Sequence, residues 1–199
     1  MAAALLPLLL ATAAAASAAA APGADGPAAP LPDLAALIEC RLGVQDFARL
    51  APLGEDPLAA VAHGWQPLPQ TNLFMAEYRL ARPVTVFGHA TDHIAMAGGS
   101  IVALLKGVDA RALARGLALE EGVDTPDKLM YGRELVSRDV TDAATGEALI
   151  ESVILGVSTV KSHPGITLAG CTYSLDIPEE APAAPSQSSQ PAEQTVASP

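Results

Sequence analysis

Residues 148–177 read ALIESVILGVSTVKSHPGITLAGCTYSLDI, and the hydrophobic patterns of this stretch decide the fold. Ala148–Val160 is apolar on both faces through Leu149, Ile150, Val153, Ile154, Leu155 and Val157, the pattern of a central strand covered on two sides. His163-Pro164-Gly165 is a turn, because proline presets φ and glycine supplies positive φ. Thr167–Ile177 then alternates: Ala169, Cys171, Tyr173, Leu175 and Ile177 face one way, and Thr172, Ser174 and Asp176 the other. Two long strands on either side of a short turn predict an antiparallel hairpin.

The same grammar continues upstream. Glu134–Thr141 joins Ala148 through a loop holding Asp142, Thr145 and Gly146. Ile94–Ala97 and Ser100–Leu105 flank Gly98-Gly99, a strong short-range hairpin signal. Phe74–Leu80 and Val84–His89 have strand composition and are separated by Ala81-Arg82-Pro83. Strands that arrive as consecutive hairpins predict an α+β domain, a mainly antiparallel sheet of six to seven strands with helices on one face. An N-terminal helix is capped by Asp33, carries Leu34, Leu37, Ile38 and Arg41, and stops at Gly43. Short helical turns are expected around Val44, Phe47 and Leu50 and at Leu58–His63. A mid-chain helix opens at Asp109, buries Ala110, Leu113, Ala114 and Leu117, and ends with Gly122 as its C′ residue, leaving Glu120 and Glu121 solvated at the helix end.

Flanking segments frame a single domain over residues 33–177. Residues 1–21 combine a short apolar run, Leu5–Leu10, with small residues suited to cleavage, the layout of a signal peptide, although no Lys or Arg precedes the run. Pro7 and the abundance of alanine weaken the alternative of an uncleaved anchor, so no integral span is expected after cleavage. Residues 22–32 form a Pro/Gly/Ala lead-in, and residues 178–199, rich in Pro, Ala, Ser and Gln, are expected to be a disordered tail. An exported, periplasmic or secreted location makes disulfide chemistry available, and the only two cysteines, Cys40 and Cys171, are expected to pair and tie the first helix to the last strand.

The formal charge is −11 and the Lys and Arg residues are scattered singly, which argues against nucleic acid as a partner. Aromatic residues make up 4% of the chain, too few for a base-stacking platform. No phosphate-binding loop, dinucleotide fingerprint or zinc-protease motif is present, so no cofactor is predicted. His89, Asp92 and His93 are the candidate metal or acid–base set. On a strand His89 and His93 stand about 13 Å apart, so only a tight turn at Ala90–Asp92 brings them together, and a polar turn between strands is the plainer reading. His163 with Ser158 or Ser162 and a distant acid forms a possible hydrolase triad, without the strained elbow that usually exposes such a serine. Trp65, in a Pro-rich stretch, is a candidate partner anchor or a lid on the core, and Leu68–Asn72 a candidate edge for strand addition.

Three functions follow as expectations. The first is an envelope protein that binds another macromolecule, as inhibitor, adaptor or assembly factor, with a protein partner in the cell envelope. The second is a small hydrolase or metal-dependent enzyme using His89, Asp92 and His93. The third is a carrier of an apolar ligand held between sheet and helices.

Overall fold

Strand β7 (Ala148–Ser158) pairs antiparallel with β8 (Ile166–Asp176), and the two make the centre of an eight-stranded sheet. The structure is a computed structural model, in which residues 30–178 are described. The segments expected to be a signal peptide and a tail, the latter from residue 179 on, and most of the expected lead-in lie outside the described residues.

The remaining strands are β1 (Trp65–Pro67), β2 (Ala76–Val86), β3 (His89–Ala97), β4 (Ser100–Lys106), β5 (Glu120–Asp124) and β6 (Leu129–Thr141). Their order is β1-β2-β3-β4-β8-β7-β6-β5, and every pairing is antiparallel. Two four-strand meanders therefore meet where β8 returns to lie beside β4. Short helices, α1 (Leu34–Ile38), α2 (Val44–Leu50), α3 (Pro52–Glu55) and α4 (Pro57–Ala62), precede the sheet, and α5 (Ala110–Gly116) links the meanders. Helix α1 lies over β2, β4 and β8, α2 over β7 and β8, and α5 over β6 and β7, so the helices share one face.

That inner face holds the main core. Leu37, Ile38, Phe47 and Leu50 from the helices meet Ile94, Ile101, Val153, Cys171 and Tyr173 from the sheet, all buried. Phe47 stacks on Tyr173 with ring centroids 5.0 Å apart, and the Tyr173 hydroxyl donates to the Leu37 carbonyl at 2.8 Å. Burial drives the Tyr173 hydroxyl well above the usual tyrosine range, so it stays a neutral donor. The Cys40–Cys171 disulfide joins the end of α1 to β8 with Cα atoms 5.3 Å apart. Closing a loop with a sequence separation of 131 restricts the unfolded chain. The chain-entropy model values that restriction at about 5 kcal/mol.

Several local expectations need correction. Phe74–Leu80 and Val84–His89 are not two strands; β2 runs through Pro83, because a register shift between Arg79 and Val84 accommodates the missing N–H. Gly43 does not stop α1. Cys40 takes the left-handed position at φ 55°, Arg41 N–H bonds back to the Ala36 carbonyl at 2.8 Å, and Gly43 becomes the N-cap of α2. Likewise α5 ends before Gly122, since Ala118 adopts φ 52° and Leu119 N–H bonds to the Ala114 carbonyl. This frees Glu120–Asp124 to form the edge strand β5 rather than a helix end. With β1 it raises the strand number from the expected six or seven to eight. The helical turns expected around Val44, Phe47 and Leu50 and at Leu58–His63 are α2 and α4, and α3 stands between them as an unexpected third.

Candidate functional site

The outer face of the sheet, opposite the helices, divides into two unlike halves. Over β2, β3 and β4 it is covered. Met75, Ala95, Leu104 and Leu168 form a second buried cluster there, with Val160 and Ile166 packed against it. Residues 68–75 and 159–165 lie over this half and are tied together by a polar latch.

Glu77 is the centre of that latch, only 5% exposed on the outer face of β2. His163 Nε2 lies 3.0 Å from one carboxylate oxygen and His93 Nε2 2.9 Å from the other. The Thr71 hydroxyl donates to Glu77 at 3.1 Å. Beyond His163, its Nδ1 meets the Ser162 hydroxyl at 2.9 Å, and Asn72 Nδ2 donates to Ser162 Oγ at 3.3 Å. Burial by itself raises a carboxyl, but the hydrogen bonds from His163, His93 and Thr71 together outweigh it and hold Glu77 below its ordinary value of 4.5. Glu77 is therefore an anion at neutral pH. Among the described residues, every buried side-chain nitrogen and oxygen has a hydrogen-bond partner.

The other half, over β8, β7 and β6, is bare. The register places Gly170, Gly156 and Gly132 side by side in one row across the three strands, continued by Val102 on β4 and Glu120 on β5. With no side chains on the glycines, this row is the floor of an open cavity of about 520 Å³. The volume falls within the usual range for small-molecule sites. Ser100, Thr172 and Ile154 line one wall, two residues along each strand; Leu168, Ser158 and Met130 line the other. Ile154 and Met130 are 37% and 41% exposed there, and the Ser100 and Thr172 hydroxyls bond to one another at 2.7 Å. Four strand spacings separate Val102 from Glu120, so the trench is about 19 Å long.

The three glycines have different causes. A Cβ on Gly170 would run into the Ile101 carbonyl and sit 2.6 Å from Val102 Cα, so close approach of β4 demands glycine. A Cβ on Gly156 or Gly132 would meet nothing nearer than 3.6 Å, and neither has a positive φ. Glycine inside a strand costs about 0.5–1 kcal/mol relative to alanine. Without a packing need of its own, such a glycine is used at bulges, at tight bends and where a ligand or another backbone comes close.

Comparison with protein families, with curated proteins and with solved structures finds no match for this chain.

The residues singled out in the sequence are distributed as follows. His89, Asp92 and His93 do not converge, because Ala90–Asp92 is not a turn but part of β3; the turn is at Phe87-Gly88. His93 joins Glu77, Asp92 faces Arg79 at 3.7 Å on the surface, and His89 borders a shallow depression with Lys106 and Asp109. Among the described residues no group of three or more His, Cys, Asp and Glu side chains is arranged to hold a metal ion. Trp65 is buried against Tyr78, ring centroids 5.6 Å apart, as a lid on the core. Leu68 N–H already bonds to the Glu77 carbonyl, so that stretch continues the edge pairing of β2. His163 and Ser162 are neighbours as the sequence suggested, but their acid is Glu77, which sequence reading missed; its only local signal is an ionisable residue inside an apolar strand. Gly132, Gly156 and Gly170 were missed as a set because each looks ordinary until the register aligns them.

Proposed function

We propose that the protein is a binder of an elongated apolar ligand, of which a single acyl chain is the simplest case, held on the outer face of the sheet in the glycine-floored trench. The observation that carries this reading is the Gly156–Gly132 pair, two adjacent strand-interior glycines for which the fold has no steric use. The trench walls are mainly apolar, and the hydroxyls of Ser100, Thr172 and Ser158 offer polar contacts to one or two ligand atoms. The layer between sheet and helices, the place the sequence suggested for such a ligand, is filled by the main core. We further propose that the chain works outside the cytosol after removal of residues 1–21, a reading supported by the disulfide.

The test is titration with a fluorescent fatty acid. Gly132→Val and Gly156→Val together place side chains on the floor, where the first carbon of each meets no protein atom closer than 3.6 Å, and are expected to weaken binding by more than about tenfold while leaving the melting temperature unchanged or raised. Equal binding by this double variant and the natural protein removes the trench as the site.

A second reading, docking to a protein partner in the envelope, is favoured by one feature. Leu73 and Phe74 are both 85% exposed at the tip of the loop over the covered half. The Phe74 N–H bonds to Asn72 Oδ1, which fixes the pair outward as a ready apolar contact. Loss of envelope-extract capture on replacing both with Ser is the corresponding test.

A further inference from the structure

The latch contains more than a fastening. A hydrogen-bonded chain leads from a buried carboxylate through a buried imidazole to an exposed hydroxyl: Glu77 (5% exposed), His163 (8%) and Ser162 on the surface. The ionised Glu77 accepts hydrogen bonds only, so in the uncharged form of His163, the form that acts as a base, the proton sits on Nε2, pointing at the carboxylate. Nδ1 is then a lone pair, and the hydrogen in the 2.9 Å contact belongs to Ser162. Ser162 thus presents its oxygen to solvent with its proton already directed at a base, and that base is backed by a charge able to stabilise an imidazolium. His93 and Thr71 hold the same carboxylate in place.

We infer that Ser162 is an acyl-accepting nucleophile, with His163 as its general base and Glu77 as the positioning residue behind it, acting on accessible carboxylic esters with an apolar acyl group. In the first step Ser162 Oγ bonds to the ester carbonyl carbon while its proton passes to His163 Nδ1. The ester C–O bond breaks, and the leaving alkoxide departs as an alcohol with that proton. Water, deprotonated by the same nitrogen, attacks the acyl-serine, releases the carboxylic acid and restores the hydroxyl. Asn72 Nδ2, 3.3 Å from Ser162 Oγ, is a donor beside the reacting centre. The apolar preference comes from Leu73 and Phe74, exposed in the chain directly after Asn72. This activity stands apart from ligand binding in the trench and does not depend on it.

The experiment uses the full chain with a fluorophosphonate, followed by intact mass and peptide mapping, and with p-nitrophenyl butyrate. A single phosphonyl adduct on Ser162, absent in Ser162→Ala, supports the assignment. Because Ser162 is exposed, that variant is expected to melt with the natural protein. No adduct, or one that persists in Ser162→Ala, overturns it. Glu77→Gln keeps an acceptor for His163 but removes the charge. A kcat lower by at least about tenfold with KM unchanged is the expected result, and an unchanged kcat overturns the role of Glu77.

Discussion

The two halves of the outer sheet face, one over β2–β4 and one over β6–β8, are built by opposite means. Over β2–β4 the surface is closed by loops, an apolar cluster and a carboxylate with every oxygen engaged. Over β6–β8 side chains are withheld, and two of the three floor glycines answer to no neighbour. The covered half adds to stability through contacts; the bare half gives up some stability to leave a surface open. A region that forgoes available stabilisation is where function is best sought.

The contrast is open to attack from either side. Glu77→Ala strikes the covered half hardest. It leaves His93, His163 and Thr71 without their shared acceptor and is expected to lower unfolding free energy by about 3 kcal/mol in urea. A loss comparable to that of a surface charge would mean that the loops do not need the latch.

Next in size is a sign reversal within one row of glycines. Gly170→Ala forces a side chain against the β4 backbone and is expected to destabilise by about 1–3 kcal/mol. Gly156→Ala, its direct neighbour, is expected to be neutral or to stabilise by up to about 1 kcal/mol. Equal effects of the two in thermal melts would erase the distinction between a glycine needed by packing and one that leaves room.

Acid separates the halves further. Folding lowers the Glu77 carboxyl, so its stabilising effect is complete above the unfolded value near 4.5 and disappears as pH falls through the folded value. Amide exchange, corrected for its intrinsic pH dependence, is therefore expected to quicken in residues 68–75 and 159–165 below pH 4.5, ahead of β6–β8. Uniform loss of protection would place the acid-sensitive contact elsewhere. The smallest effect belongs to the exposed tip: Leu73→Ser with Phe74→Ser is expected to change stability by no more than about 0.5 kcal/mol, and a larger loss would show that the tip packs on the body.

Much of the architecture is legible in the chain because its signals are local. The alternation of Thr167–Ile177, the Gly98-Gly99 hairpin and the Asp33 and Asp109 caps all appear where expected. Local reading fails where the tertiary environment chooses among local options. Pro83 looked like a strand break until a register shift absorbed it. Gly43 and Gly122 looked like helix stops, while Cys40 and Ala118 took the left-handed positions instead. The candidate site was less legible. His163 and Ser162 were noticed together, but the set His89, Asp92 and His93 was dispersed by an extended backbone that turns successive side chains to opposite faces.

By itself the sequence determined the α+β class with its antiparallel hairpins, the helices' share of one face and the pairing of Cys40 with Cys171, since periodicity, caps and cysteine number are properties of neighbouring residues or simple counts. Only the tertiary structure decided that Glu77 meets a histidine 86 residues away and that Gly132, Gly156 and Gly170 stand in line. Both are consequences of register, which depends on how bulges and turns sum along whole strands and cannot be read from any one of them.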